Sequence, residues 1–403
     1  MKVLLASPAW PPDRFANGIV TYVDAMRAGL EGLGVDVRVV TGRIEGSATD
    51  DGVVLLSGAR SIPLITQRRV KRLSMRALGD DFSSIDIARR MVRTIHRLRP
   101  SFQPDILEME ESFGAAHRIA KKIDAPVVVR LHGPWFLNGD ALGVPKDSTY
   151  RRRVELEGIA IEKAKAITSP SEDLLNRVRR FYGFALPDAE VIPNPAPEVD
   201  PGDHWKLAEC DPNLIVYVGR FDRHKGGDLV IDAFASLAEQ RTELRLAFIG
   251  PDRGLQISGS ETLSLPDYVS MRVPDEGVRA RIEHLGQISP DAVTSWRRRA
   301  RAVVVASRFE VFGMVLVEAL ALGCPVVGSD VGGISEILEH QENGLLFQSS
   351  TAADLAEKLQ TLLDDENLSV KLGERGRLDM ERRFSRRAVA EQTKAVYERA
   401  LAG

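Results

Sequence analysis

The stretch Leu214-Ile-Val-Tyr-Val-Gly-Arg-Phe-Asp-Arg-His-Lys-Gly-Gly227 decides the fold. Leu214–Val218 is a short β-branched run with the length and composition of a buried strand. It runs into Gly219, a turn then carries Arg220 and Lys225, and a helix starts near Asp228. A strand that ends in a glycine turn and opens a helix is half of a βαβ unit. The pattern repeats on both sides. Downstream, similar runs lie at Arg245–Ile249, Ala302–Ala306, Pro325–Ser329 and Gly344–Phe347. Upstream they lie at Val3–Ser7, Val35–Thr41, Ile106–Glu108, Val127–Leu131, Ala166–Pro170 and Glu190–Pro193, with helical stretches such as Ile19–Leu33 and Ile85–Leu98 between them. Pro193-Asn-Pro-Ala-Pro-Glu-Val-Asp-Pro201 separates the two series. Its four prolines in nine residues fit an extended connection and would break a helix or a central strand. The expected fold is α/β: two Rossmann-like, doubly wound domains, residues 1–200 and 201–385. A length of 403 residues suits two cores. A helical tract, Arg386–Leu401, closes the chain.

Composition narrows the function. Lys and Arg number 54 against 57 Asp and Glu, so overall charge makes no case for a nucleic-acid partner. The two cysteines, Cys210 and Cys324, are too few for a disulfide framework or a usual zinc site, and they suggest a reducing compartment. The opening MKVLLAS reads as a first strand rather than a leader, and no run approaches 18 apolar residues, so a cytoplasmic enzyme is expected. Walker A, GxSxG and HExxH patterns are absent, as is an Asp-x-Asp pair for a metal-bound sugar nucleotide. Gly29, Gly32 and Gly34 mimic a dinucleotide fingerprint but precede a strand, so Gly32 and Gly34 read as helix-stop glycines.

Ligands of open α/β sheets bind beyond the carboxyl ends of strands, and the unusual residues sit there. Arg220 and Lys225 after Gly219 can clamp a diphosphate, Arg as a planar fork and Lys as a mobile charge. By themselves they read equally well as a solvated loop. In Ala306-Ser-Arg-Phe-Glu-Val-Phe-Gly-Met-Val-Leu-Val-Glu-Ala319, a strand leads into a loop with Glu310. Gly313 permits close backbone approach, and a helix starting near Met314 favours an anion. Glu318 interrupts the apolar run Met314–Leu322, and a charge there must be paired or hydrogen-bonded. His132 follows the strand Val127–Leu131 and suits either a phosphate or sugar contact or a buried structural role. Asn17 and Gly18 precede a helix, a further anion-favouring terminus or a plain Pro-rich loop.

Taken together, the GR-x4-KG run at Gly219–Gly226 and the E-x7-E pair Glu310 and Glu318 resemble motifs of the retaining nucleotide-sugar transferases of glycosyltransferase family 4. So do Ser169-Pro-Ser171, Val191-Ile-Pro-Asn-Pro195, Pro325-Val-Val-Gly-Ser-Asp-Val-Gly-Gly333 and Gly344-Leu-Leu-Phe347. That family has the GT-B fold, two Rossmann-like domains facing a central cleft. The resemblance covers nearly the whole chain. It implies that Gly219, Arg220 and Lys225 grip the donor diphosphate with backbone help from Phe312, Gly313, Met314 and Val315. Glu318 would hold the ribose, Glu310 the donor sugar, and Gly18 would border the diphosphate. His132 would face the reaction centre, and the base would lie near His284–Gln287, beside Leu285. The final helix, about 386–403, would return to the first domain, which would take the acceptor. The implied catalytic set is His132, Glu310, Arg220 and Lys225. No metal or other cofactor is implied, since cations replace the metal, and the co-substrate is a nucleoside-diphosphate sugar, UDP-linked before GDP-linked. Val311 and Asn17 depart from the family, where Gly is common at both places.

The acceptor is written less clearly. Arg60–Arg76 is basic, and the following helix sets Ile85, Ala88, Val92, Ile95 and Leu98 on one side with Arg89, Arg90, Arg93 and Arg97 around it. Three readings remain open: a helix packed on the sheet, peripheral contact with an anionic membrane, or a basic pocket for a small anionic acceptor. Glu108, Glu110 and Glu111 approach the cleft or are solvated. The acceptor would then be a glycan intermediate, a lipid-linked sugar or a small metabolite. The rival functions are a GT-B sugar-nucleotide epimerase, a phosphorylase, for which no pyridoxal-phosphate lysine motif is visible, and a non-catalytic nucleotide-sugar binding protein.

Overall fold

A computed structural model describes residues 1–15, 17–45, 52–58, 81–258, 261–348 and 351–403. The chain divides into two units: Met1–Pro195 with Arg386–Gly403, and Ala196–Ser385. The division falls five residues before the expected one at 200. Ala196 N–H donates to Phe384 O at 2.7 Å, which ties the middle of the proline-rich segment into the second unit.

Among the described residues the first unit is built on a seven-stranded parallel sheet in the order β3-β2-β1-β4-β5-β6-β7. The strands are β1 Lys2–Ser7, β2 Asp36–Thr41, β3 Val53–Leu55, β4 Ile106–Glu110, β5 Val127–Arg130, β6 Ala166–Ser169 and β7 Glu190–Val191. β1 sets Val3 beside Val37 of β2 and Ile106 of β4. Val3, Leu4 and Leu5 are all fully buried. A parallel strand is covered on both faces, so it reads as a continuous apolar run rather than an alternating one. Helix Gly18–Glu31 is started by Asn17, whose side chain accepts from Ile19 N–H. Its Gly29 lies so close to the closing helix Arg386–Ala402 that a Cβ would stand 2.8 Å from Arg386 O. Only glycine permits that approach. Gly34 does lie past the helix end, at φ 75°.

The second unit has a six-stranded parallel sheet, β12-β9-β8-β13-β14-β15. Its strands are β8 Leu214–Val218, β9 Arg245–Ile249, β12 Ile282–Gly286, β13 Ala302–Val305, β14 Val326–Ser329 and β15 Leu345–Phe347. A separate antiparallel hairpin pairs β10 Leu255–Ser258 with β11 Glu261–Leu263. Counting the strands of each parallel sheet in chain order, both contain the order 3-2-1-4-5-6, the doubly wound order of a Rossmann-like fold, and the first adds a seventh strand at its edge. The order reverses between β1 and β4 in one unit and between β8 and β13 in the other. Helix Met314–Ala321 seals the second sheet with Leu316, Val317, Ala319 and Leu320, all without exposed surface. Each such Leu or Val stabilises the unit by about 1.5–3 kcal/mol through burial.

Helix Asp81–Leu98 corrects one expectation. Ala88, Met91, Thr94 and Ile95 are buried, whereas Ile85, Val92 and Leu98 are only partly covered. The face is rotated because Thr94 has a polar duty inside: its Oγ1 accepts from Ser57 N–H at 2.9 Å. Arg90 Nε and Arg97 Nη1 also reach Ser57, through its carbonyl and its hydroxyl. Arg90 and Arg97 are thus engaged within the unit, although Arg97, like Arg89 and Arg93, is exposed. The basic stretch 60–76 lies outside the described residues.

Candidate functional site

In the second unit the expected residues gather where the strand order reverses. After β8, Gly219 N–H donates to Ile249 O, and Asp222 organises the turn. Its Oδ2 accepts from Arg220 Nε at 2.7 Å and its Oδ1 from Lys225 N–H at 2.8 Å, so one carboxylate positions both cations. Tyr217 OH donates toward the carbonyls of Arg220 and Lys225 from beneath. Gly226, at φ 69°, then starts helix Gly227–Ala238. A Cβ there would stand 2.0 Å from Ala306 O, so glycine alone lets this turn lie against the end of β13.

The loop after β13 meets that turn. Lys225 Nζ donates to Glu310 Oε2 at 2.6 Å, and Ser307 Oγ donates to the same oxygen at 3.2 Å. Burial pushes the Glu310 carboxyl up, but the Lys225 ammonium beside it holds it below its usual value. His224, next in the turn, is held below its usual value by burial and then by Lys225. Arg308 staples the two loops. Its guanidinium makes two bonds to Asp228, at 2.8 and 2.6 Å, and one to Arg223 O, while its N–H donates to His224 O. Gly313 caps helix Met314–Ala321 at φ 107°, close enough to Glu310 that a Cβ would lie 3.6 Å from Glu310 Cγ. Phe312 is buried, and Met314 and Val315 are partly exposed.

Glu318 does find the partner its apolar setting demanded. Arg297 Nη2, on helix Pro290–Arg299, donates to Glu318 Oε2 at 2.7 Å. Leu285 lies apart from this cluster, on β12, two strands from β8. There His284 Nε2 is 3.0 Å from Gly250 O, and Gly250 N–H donates to Gly286 O.

Gly18 and His132 belong to the first unit, where Tyr22 links their elements. The Tyr22 ring, on helix Gly18–Glu31, meets the His132 ring edge-on at 5.0 Å. Burial, with the Arg130 charge second, holds the His132 imidazole well below its usual value. Two buried carboxylates brace the loop that carries it. Glu111 accepts from His132 N–H and Gly133 N–H, and Glu157 accepts from Phe113 N–H, Trp135 N–H and Arg153 Nε. Burial raises Glu111 to about 8, with Glu157 and Glu110 adding like-charge repulsion.

The acidic run Glu108, Glu110 and Glu111 is therefore neither a solvated face nor uniformly open. Glu108 is 3% exposed and accepts from Tyr22 OH at 3.0 Å and Tyr397 OH at 2.8 Å. Beside it Arg130 lies over the Tyr22 ring and donates to Asn194 Oδ1. Asp222, Arg308, Arg297, Tyr22 and Arg130 join these sites only in the fold. Asp222 lies within the GR-x4-KG run and Arg308 two residues before the E-x7-E pair, and a charged residue inside or beside a motif is a usable signal. Nothing in the sequence ties Arg297 to Glu318, 21 positions away.

Among the described residues no three His, Cys, Asp or Glu side chains are grouped to hold a metal ion, and no helix is long and apolar enough to cross a membrane. Both thiols are free, and burial pushes Cys324 up to about 12.

Comparison with known proteins agrees with this architecture. The family profile described as Glycosyltransferase Family 4 matches residues 16–197, and that described as Glycosyl transferases group 1 matches residues 201–379. A D-inositol 3-phosphate glycosyltransferase of Corynebacterium aurimucosum is 31% identical over 232 residues, covering 54% of this chain and 53% of that protein. The match thus spans about half of that relative's length. Sucrose-phosphate synthase from Thermosynechococcus elongatus superposes with a TM-score of 0.73 at 21% identity, over 100% of this chain and 99% of that one. Anabaena HepE, solved in complex with UDP and glucose, superposes with a TM-score of 0.68 at 18% identity, over 99% of each chain. The chain belongs to the group 1, family 4 glycosyltransferases and has their GT-B fold.

Proposed function

We propose that the protein is a metal-independent, retaining glycosyltransferase of the cytoplasm, moving a hexose from a nucleoside-diphosphate sugar, UDP-linked in the first instance, to a hydroxyl acceptor. The observation that carries this reading is the cluster at the β8–β13 reversal: two cations, Arg220 and Lys225, set by one carboxylate, with Lys225 against Glu310. The leaving group is a diphosphate. Negative charge builds on its bridging oxygen as the bond to the sugar C1 breaks. Arg220, Lys225 and the helix start after Gly313 stabilise that charge, with a preorganised donor commonly contributing about 3–4 kcal/mol. Lys225 exchanges its bond to Glu310 for the phosphate, which frees Glu310 to accept from sugar hydroxyls. Glu318 accepts from the ribose. His132 is neutral through the physiological range, so it offers a hydrogen bond rather than a charge. No side chain in these motifs stands out as a covalent nucleophile. The acceptor oxygen therefore attacks C1 on the face the diphosphate leaves, and its proton passes to the departing phosphate oxygen.

HepE binds UDP and glucose on the same fold, which supports UDP as the first probe. The test begins with melting shifts under UDP, GDP, ADP and CMP without metal. A ligand at 100 times its dissociation constant adds about 2.7 kcal/mol. Product analysis with the matching sugar nucleotide follows, and Lys225→Met is expected to lower kcat by about 10²–10³. Binding with no transfer across a broad acceptor panel would favour a non-catalytic binding protein. An isomerised sugar nucleotide formed without acceptor would favour an epimerase. Inversion at C1, or a trapped glycosyl-enzyme, would overturn the same-face mechanism.

A further inference from the structure

Arg297 is among the most deeply buried cations of the second unit, at 3% exposure. Its neighbours on the helix behave differently. Arg298 reaches Asp203 and Glu209 at the surface, and Arg299 stacks on Trp296. The Arg297 guanidinium instead turns inward, donates through Nη2 to Glu318 Oε2, and leaves Nε without a hydrogen bond. Cys324 Sγ donates to its carbonyl, fixing the backbone behind it. A buried guanidinium is costly unless its charge is answered, and Glu318 answers it through one oxygen only. The Glu318 side chain keeps 35% of its surface in solvent. The carboxylate is thus clamped from behind and open in front.

We propose that Arg297 is a positioning residue that makes the site selective for ribonucleotides: by fixing Glu318 it preorganises the remaining carboxylate lone pairs for the adjacent 2′ and 3′ hydroxyls of the donor ribose. This rests on the reading of Glu318 as the ribose ligand. A free glutamate samples several rotamers and must be ordered on binding, whereas a clamped one is already in place. A carboxylate that accepts from two hydroxyls at once penalises a ligand lacking one of them, because an acceptor site is then left unmet.

The experiment is titration calorimetry of the full chain with UDP and 2′-deoxy-UDP, with GDP and 2′-deoxy-GDP in parallel, on wild type, Arg297→Met, Arg297→Lys, Glu318→Gln and the Met/Gln double variant. Wild type is expected to prefer the ribonucleotide. Arg297→Met should weaken its binding about 10-fold and change the deoxy form less than about threefold, so that the preference collapses. Arg297→Lys should restore part of the preference, and the double variant should be no worse than Glu318→Gln. A merely structural arginine would weaken both ligands equally. Should wild type bind none of the four, or Glu318→Gln keep the full preference, the donor or ribose reading falls and this proposal falls with it. Should Glu318→Gln lose the preference while Arg297→Met and Arg297→Lys keep it, the proposal alone is overturned.

Discussion

Replacing Gly226 with alanine should strike fold and site together. The added Cβ would stand 2.0 Å from Ala306 O, where a carbon–oxygen contact needs about 3.3 Å. More than about 1 Å must be opened between the Lys225 turn and the end of β13. At φ 69° the alanine also occupies the left-handed region, at about 1–2 kcal/mol. Strain and displaced packing together give about 2–4 kcal/mol of destabilisation, or roughly 5–15 °C in the melting of this unit. The displacement falls on residues that touch each other: Lys225 precedes Gly226, and Ser307, which follows Ala306, donates to Glu310. UDP affinity should therefore fall by more than about threefold and turnover by about 10²-fold, the rate cost of a misplacement near 1 Å. Scanning calorimetry and UDP titration read the two effects separately. A variant that melts within about 2 °C of wild type and binds UDP within about threefold would refute both the close-approach argument and the coupling of this turn to the site.

Gly18→Ala is the contrasting case: its Cβ would meet nothing within 4 Å, so stability should rise by about 0.4–1 kcal/mol, and a melting temperature below wild type would contradict it. Asp228→Asn and Arg308→Gln should each cost about 1–3 kcal/mol, and the double variant should be no worse than either single one; additive losses in a denaturation cycle would show that the staple is not a unit. Burial raises Glu111 to about 8, so the folded state keeps a proton that the unfolded chain releases above its ordinary value of 4.5. The stability this contributes is complete at low pH and fades as pH rises from about 4.5 to 8. Glu111→Gln, with nothing to titrate, should thus gain on wild type in melting temperature between pH 5 and 8.5; a constant difference would contradict it.

The parallel-sheet skeleton was legible because buried strands such as β5 Val127–Arg130 and β13 Ala302–Val305 each hold three consecutive valines. β12 was not, since Ile282-Glu-His-Leu-Gly286 lies at a sheet edge and its Glu283 and His284 are exposed. The short hairpin β10–β11 escaped for a similar reason: it is an addition outside the parallel sheet and carries no long apolar run. Glu318 stood out as a charge inside an apolar run, and Arg220, Lys225 and Glu310 through the motifs that carry them. Among their supports Arg297 had no sequence signal, while Asp222 and Arg308 lie in or beside the motifs but acquire their partners only through side-chain geometry that spacing along the chain does not encode. Thr94 shows the same limit inside a helix, where one hydrogen bond to Ser57 turned the buried face away from the apolar count.

The closing helix has a consequence for how the molecule is made. Residues 196–385 form a complete unit, inserted between two parts of the other one. A ribosome therefore finishes the second unit while the first still lacks the helix that covers Gly29 and supplies Tyr397 to Glu108. For the time it takes to synthesise about two hundred residues, at roughly 5–20 per second, a nascent sheet must wait with an uncovered apolar groove and an acidic side chain short of one of its two tyrosines. That interval of ten seconds or more is when a chaperone or a misfolded neighbour has its opening.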